Sequence, residues 1–419
     1  MNSYRTSTWG DEISLEYGKS LKGYRNSNGK YQVFGSNGPI GWTDKPLCKG
    51  PGIILGRKGA YRGVKFSEKD FYVIDTAYYV VPKTDLDLNW LYYAIKYHKL
   101  GEIDDGSPIP STTRAAVYVR EFDIPSKEVQ VKIGNILKKI DLKIELNNQI
   151  NETLESIAQA IFKSWFIAFD PVRAKIAAKQ EGKDSELAAM CVISGKSEVE
   201  LQQMAKEDFA ELQVTAALFP DELVESELGE VPNGWEVSTI GERFNVVMGQ
   251  SPKGDTYNGN KHGKLFFQGR AEFGWRYPTP RLYTTDPKRV AKENDILMSV
   301  RAPVGDMNVA MEECCIGRGL SALSHRSGSF SYSYYCLKAL QSKFDVFNGE
   351  GTVFGSINQN DLKNISFIEP INELIDLFAK TINKYDQRIK LNSFNTKSLI
   401  DVRDTLLPKL LSGELEVLT

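Results

Sequence analysis

Apolar residues recur at alternating steps of four and three along two long stretches of the chain. In residues 129–165 the series is Ile133, Leu137, Ile140, Ile144, Asn147, Asn151, Leu154, Ala158 and Ile161. Toward the C-terminus it is Phe378, Ile382, Tyr385, Ile389, Asn392, Thr396, Leu399, Arg403 and Leu406. A heptad seam sustained this long predicts two amphipathic helices with coiled-coil spacing. The first would be roughly 55 Å long at 1.5 Å per residue. Pro125 marks its start, and Pro408 is expected to stop or kink the second. The two stretches are copies at one offset. Pro125 pairs with Pro370, Lys139 with Lys384, Asp141 with Asp386, Leu146 with Leu391 and Asn147 with Asn392, each 245 residues apart.

Ahead of each stretch the pattern shortens and Gly and aromatic residues increase. Residues 31–34 read as a strand ended by the turn Gly35-Ser-Asn-Gly38, residues 52–55 as a buried strand, and residues 71–81 as another strand-like run. Asp87 can cap a helix carrying Leu88, Leu91, Tyr92 and Ile95 on one face. Gly18-x-Ser20-x-Lys22-Gly23 returns as Gly249-x-Ser251-x-Lys253-Gly254, and Tyr92-Tyr-Ala-Ile-Lys96 resembles Tyr334-Tyr-Cys-Leu-Lys338. The expected organisation is a mixed domain at 1–124, a helix at 125–168, a helical connector at 169–231, a second mixed domain at 232–368 and a second helix at 369–419. Residues 187–190 and 199–218 predict short connector helices.

A long apolar seam must be covered. Antiparallel pairing of the two helices would place one mixed domain at each end of a rod, an α+β architecture with pseudo-two-fold symmetry. Asn147 and Asn392 would then fix register, unless they lie at a solvated edge of the seam. An ordinary helical hairpin inside a core is the plainer alternative for both stretches. A two-fold protein suits a two-part target, and duplex DNA is the commonest one.

Composition bounds the classes that remain. The 419 residues are 41% hydrophobic and 25% charged, as in a chain with real cores. No apolar run approaches the roughly 18 residues of a membrane span, and residues 1–10 lack a signal-peptide pattern. Five cysteines without a CxxC pair argue against a disulfide framework or zinc site and fit the cytoplasm. Cys314 and Cys315 read as adjacent strand residues. The net charge of −2 hides its distribution, because acidic residues crowd 181–230. A locally basic face remains compatible with phosphate binding.

Motifs for chemistry are scarce. Ser194-Gly-Lys-Ser197 lacks the first P-loop glycine, since Met190 stands in its place. Gly317-Arg-Gly-Leu-Ser-Ala322 fits GxGxxA, without a βαβ unit or a suitably placed acid. His98, His262 and His325 have no metal-ligand spacing. No catalytic residue and no metal site is expected. Donors suited to phosphates and base edges are more plentiful. In the first domain they are Lys19, Lys22, Arg25, Arg57, Lys58, Arg62, Thr112, Thr113 and Arg114. In the second they are Gln250, Lys253, Gln268, Arg270, Arg276, Arg281, Arg301, Arg318, Asn358 and Gln359. Each alone could be a solvated surface charge. A self-sufficient DNA enzyme and a coiled-coil scaffold with two ligand-binding domains not specific for DNA are the competing readings.

The order domain, helix, domain, helix resembles the specificity subunits of type I restriction–modification systems, the HsdS family. The carriers are Lys138-Lys-Ile-Asp141 with Ile144-x-Leu-Asn147, Ser164-Trp-Phe166 before Asp170-Pro-Val-Arg173, Leu228-Gly-x-Val-Pro-x-Gly-Trp235, Gly56-Arg-Lys-Gly59, Asp75-Thr76 and Leu407-Pro-Lys-Leu-Leu-Ser-Gly413. The resemblance implies a non-catalytic subunit with two target-recognition domains, each reading one half of a gapped double-stranded DNA site. It implies helices that set the gap and, together with the connector, dock two methyltransferase subunits, and two translocating restriction subunits that can join. S-adenosylmethionine and ATP would be held by those partners, with no cofactor on this chain.

Overall fold

The computed structural model describes residues 4–26, 28–104, 106, 109–349 and 355–417. The chain divides into two compact units, one of Met1–Asn148 with Phe394–Thr419 and one of Gln149–Ser393.

In the first unit a four-stranded antiparallel sheet has the order Ile13–Tyr17, Ala77–Pro82, Gly52–Gly56, Val64–Ser67. A smaller sheet orders Gly38–Thr43, Tyr31–Gly35 and Phe71–Val73. The run 71–81 is therefore two strands in different sheets, broken by a turn at 74–76. The polar pair Asp75-Thr76 marks the break, between apolar residues that are buried on both sides of it. Asp87 caps Leu88–Tyr97, its Oδ1 accepting from Trp90 N at 2.9 Å. That helix packs with Trp9, Ile53, Leu55 and Tyr78 on Ile133 and Leu137 of the long helix Lys127–Phe166. Gly134 allows the approach, because a Cβ there would lie 2.8 Å from Trp90 N. Asp141 accepts from Tyr93 Oη at 2.7 Å and pairs with Arg403 at 2.8 Å.

Glu12 is buried beside the first strands, where Arg5, Ser7 and Thr84 all donate to its carboxylate. The Arg5 hydrogen bond foremost, opposed by burial and helped by both hydroxyls, lowers its pKa from 4.5 to about 2. A depressed carboxylate stabilises the fold fully above its unfolded value and loses that contribution as pH falls through the folded one. Wild type should thus lose stability from Glu12 between about pH 4.5 and pH 2. Glu12→Gln should cost about 1–3 kcal/mol near neutrality and less below pH 3. Urea titrations at pH 7 and pH 3 check this, and an equal cost at both pH values would refute it.

The second unit repeats the plan. Its four-stranded sheet has the order Phe244–Met248, Leu320–His325, Ile296–Ser299, Met307–Val309, the same connectivity as the first. The helix Phe330–Ala339 takes the place of Leu88–Tyr97, and a five-stranded sheet replaces the three-stranded one. Cys314 and Cys315 lie in the strand Cys314–Ile316. The connector forms four helices, Asp170–Gln180, Ser185–Ser194, Glu198–Gln202 and Lys206–Ala217, the first of which the apolar pattern did not reveal. Ser194-Gly-Lys-Ser197 is the join between two of them. Gly195 ends one helix with φ 68°, and Ser197 opens the next in a capping box with Glu200. Gly317–Ala322 runs from a turn into a strand, with no helix for a dinucleotide phosphate.

Both long helices are continuous, Lys127–Phe166 and Asn372–Leu411. Pro408 does not stop the helix: it lies in the last turn, and the helix runs on to Leu411. There its missing N–H removes one hydrogen bond from a turn that is about to end. Of the seam, Ile133, Leu137, Asn147, Phe378, Ile382, Ile389 and Asn392 are buried, while Ile140, Ile144, Leu154, Tyr385 and Leu399 are half-buried. Asn147 and Asn392 are each 1% exposed, which excludes the solvated-edge reading. Within the second unit Asn392 Nδ2 donates to Asn151 Oδ1 at 3.0 Å, and Asn151 Nδ2 to Ser393 Oγ at 3.2 Å. There Phe162 and Trp165 pack on Phe378, with ring centroids 5.4 and 6.1 Å apart.

Candidate nucleic-acid interface

One edge of the first unit gathers loops that are remote in sequence. Strands Ile13–Tyr17 and Gly52–Gly56 end there, and Ala77–Pro82 begins there. Backbone hydrogen bonds pin the loops together: Gly18 N to Ala77 O at 3.1 Å, Lys19 N to Val73 O at 2.9 Å and Arg57 N to Thr76 O at 3.0 Å. Gly59 N donates to Pro110 O at 3.0 Å and Thr112 N to Arg57 O at 2.9 Å. The second unit makes the matching set. Gly249 N donates to Leu320 O at 2.9 Å, Gln250 N to Ile316 O at 3.0 Å and Val300 N to Gly319 O at 2.9 Å. Ala302 N donates to Gly355 O at 2.9 Å and Ile357 N to Val300 O at 3.1 Å. Isolated bridges Lys58↔Ser111 and Arg301↔Ser356 complete the correspondence. Glycine is required at both loop starts, since a Cβ on Gly18 or Gly249 would meet a carbonyl oxygen at 2.1 Å.

On this shared scaffold the side chains differ. Lys19, Lys58, Gln250, Arg301 and Arg318 are exposed on the pinned loops, Gln359 is exposed at the start of the helix that follows them, and Gln268 is exposed where Gly317 packs on its backbone. Lys22, Arg25 and Lys253 are exposed further along the first loops. Arg270 and Arg281 are exposed but ion-paired, with Asp306 at 2.5 Å and Glu272 at 2.8 Å. Arg57 and Arg114 are half-buried.

Other candidates serve the fold instead. Arg276 is 1% exposed and paired with Asp386 at 2.5 Å, so its guanidinium belongs to the core and cannot meet DNA. Thr112 is fully buried, and its hydroxyl donates to Ile103 O at 3.1 Å. Arg62 spends its guanidinium on Gly101 O, Gly59 O and Ile103 O at 2.8, 2.8 and 3.2 Å. Thr113 and Asn358 are N-caps of Arg114–Tyr118 and Gln359–Lys363. Sequence reading also missed two exposed aromatics at the first edge, Tyr17 and Tyr61. Tyr17 ends a strand and Tyr61 lies in a loop, and neither position carries a sequence signal of exposure.

Charge follows the same division. Residues 1–124 hold 17 Lys+Arg against 14 Asp+Glu, and residues 232–368 hold 16 against 13. The connector 169–231 holds 6 against 14, so it alone makes the chain acidic. Among the described residues no group of His, Cys, Asp and Glu could hold a metal ion, and no helix is long and apolar enough to cross a membrane.

Residues 7–156 and 232–401 each match the family described as the type I restriction modification DNA specificity domain. The chain belongs to that family. Each matched stretch contains one copy of the loop-bearing edge, and the acidic connector lies between them. Over 389 residues the chain is 32% identical to the type I restriction enzyme HindI specificity subunit of Haemophilus influenzae, covering 83% of this chain and 82% of that protein. It is 25% identical over 356 residues to the type I restriction enzyme MjaIX specificity subunit of Methanocaldococcus jannaschii, covering 81% and 71%. The crystal structure of the type I restriction-modification system S subunit from M. genitalium matches all of this chain and 97% of that one, with a TM-score of 0.62 and 19% identity. That likeness establishes the fold.

Proposed function

We propose that this chain is the DNA-recognition subunit of a type I restriction–modification complex, supplying address and geometry rather than chemistry. One observation carries the reading: two copies of the same pinned loop edge, each within a DNA specificity domain match, bear different polar side chains. Each copy reads one half of a gapped double-stranded site. The long helices pair antiparallel with pseudo-two-fold symmetry and set the gap. Asp141 with Arg403 in one unit and Asn151 with Asn392 in the other support that direction.

Two methyltransferase subunits dock on the helices and bring S-adenosylmethionine, while restriction subunits bring ATP-driven translocation. Leu146 and its copy Leu391 support docking, being 47% and 57% exposed, as do Ile157 and its copy Val402 at 39% and 47%. Apolar residues repeated on the outer face of both helices suit a partner that binds twice.

The test is domain exchange. Replacing residues 1–124 by the first domain of another family member should change one half-site and leave the other, as read by methylation mapping of the assembled complex. Alteration of both halves, or no methylation directed by the wild-type complex, would overturn the reading.

A further inference from the structure

Arg57 and Arg114 are each held along one side of the guanidinium, unlike Arg62, whose three nitrogens are all engaged. Arg57 Nε and Nη2 donate to Asp75 O at 3.3 and 3.0 Å, and Arg114 Nε donates to Leu15 O at 2.6 Å. Arg114 Nη2 also meets Glu16 at 3.4 Å. Each guanidinium is therefore fixed along its inner edge. Both also lie over aromatic rings: Arg57 and Arg114 are 5.1 and 4.3 Å from the Tyr17 centroid, and 5.9 and 6.0 Å from that of Tyr78. Tyr17 is 47% exposed, so the cluster faces outward. Tyr78 beneath it is buried and donates to Thr112 O at 3.2 Å, a rigid floor. Nη1 of both arginines has no hydrogen bond among the described residues.

A locked guanidinium with its outer end free has the geometry for bidentate donation to guanine O6 and N7, whereas a mobile lysine suits phosphate. We propose that Arg57 and Arg114, braced by Tyr17, read guanine in the half-site taken by the first recognition domain. This rests on the DNA-recognition reading above. The second domain cannot use the same device. Its matching loop hydrogen bonds put Val300 where Arg57 stands, and its matching caps put Gln359 where Arg114 stands. Met248 ends the strand that Tyr17 ends in the first. The two half-sites should therefore differ in sequence. Gln359 suits adenine rather than guanine.

The test compares wild type with Arg57→Lys, Arg114→Lys and Tyr17→Ala, each assembled with the methyltransferase partner. Methylated motifs are mapped by single-molecule sequencing, and the first half-site is assigned by the domain exchange. Lysine keeps the charge and loses the fork. Each lysine variant should lower the preference for a G·C pair at one first-half position by about tenfold or more. Tyr17→Ala should lower it at the same positions, with the second half unchanged. A bipartite wild-type motif whose first half lacks a G·C pair would overturn the inference while leaving the parent reading intact. So would unaltered preference in the variants, or equal loss in both halves. Absence of any wild-type motif would instead refute the parent reading.

Discussion

Arg276→Met should destabilise the second unit by about 3–5 kcal/mol, the largest effect expected of a single substitution here. The side chain is fully buried between Asp386 at 2.5 Å and Glu155 at 3.7 Å, one carboxylate from each long helix. Its guanidinium also lies 4.4 Å from the Tyr334 ring centroid. Burial, the strongest influence, opposes its charge, but Asp386 and the surrounding tyrosines more than offset this and raise its pKa. Removing the cation leaves two carboxylates, 5% and 8% exposed, facing an apolar residue. Ser331 and Tyr335 still donate to Asp386, and Tyr334 to Glu155, so part of their charge stays solvated by hydroxyls. Neutralising both acids in the same chain, with Asp386→Asn and Glu155→Gln, should recover part of the loss. Urea unfolding of the full chain, read by hydrogen exchange in Phe330–Ala339, measures it. A cost below about 1 kcal/mol would mean the pair is not coupled to folding.

Arg276 also marks where sequence reasoning ran out. In Phe273-Gly-Trp-Arg276-Tyr it looks like a cation on a Gly- and aromatic-rich loop, the pattern expected of a DNA contact. Its partner lies 110 residues away, and no local pattern announces it. The long helices were legible because their seam is periodic and duplicated. Asp87 as a cap was legible from a local signal. The Tyr17, Arg57 and Arg114 cluster was not. It exists because Ala77–Pro82 pairs with both Ile13–Tyr17 and Gly52–Gly56, a strand order set by long-range register. Loop glycines indicated where backbones approach closely. They could not indicate which neighbouring cation points inward, as Arg62 does, and which keeps a free end, as Arg57 does.

Removing one heptad from each long helix should shorten the DNA gap without changing either half-site. Residues 142–148 and 395–401 are the segments to delete, because Asp141 with Arg403 and Asn151 with Asn392 then survive on either side. Seven residues span about 10 Å and fall only about 20° short of two full turns, so the seam keeps its facing. At about 3.4 Å per base-pair step, the gap should contract by at most about three steps. Removing five residues from each helix instead rotates the seam by about 140° and should abolish specific binding, since the apolar rows no longer meet. Selection from random duplex pools, with the methyltransferase partner present, reads both outcomes. If the heptad deletion selects the original spacing, the helices do not set it. If it changes the bases within a half-site, reading and spacing are not separable, because the deleted residues lie outside both loop-bearing edges.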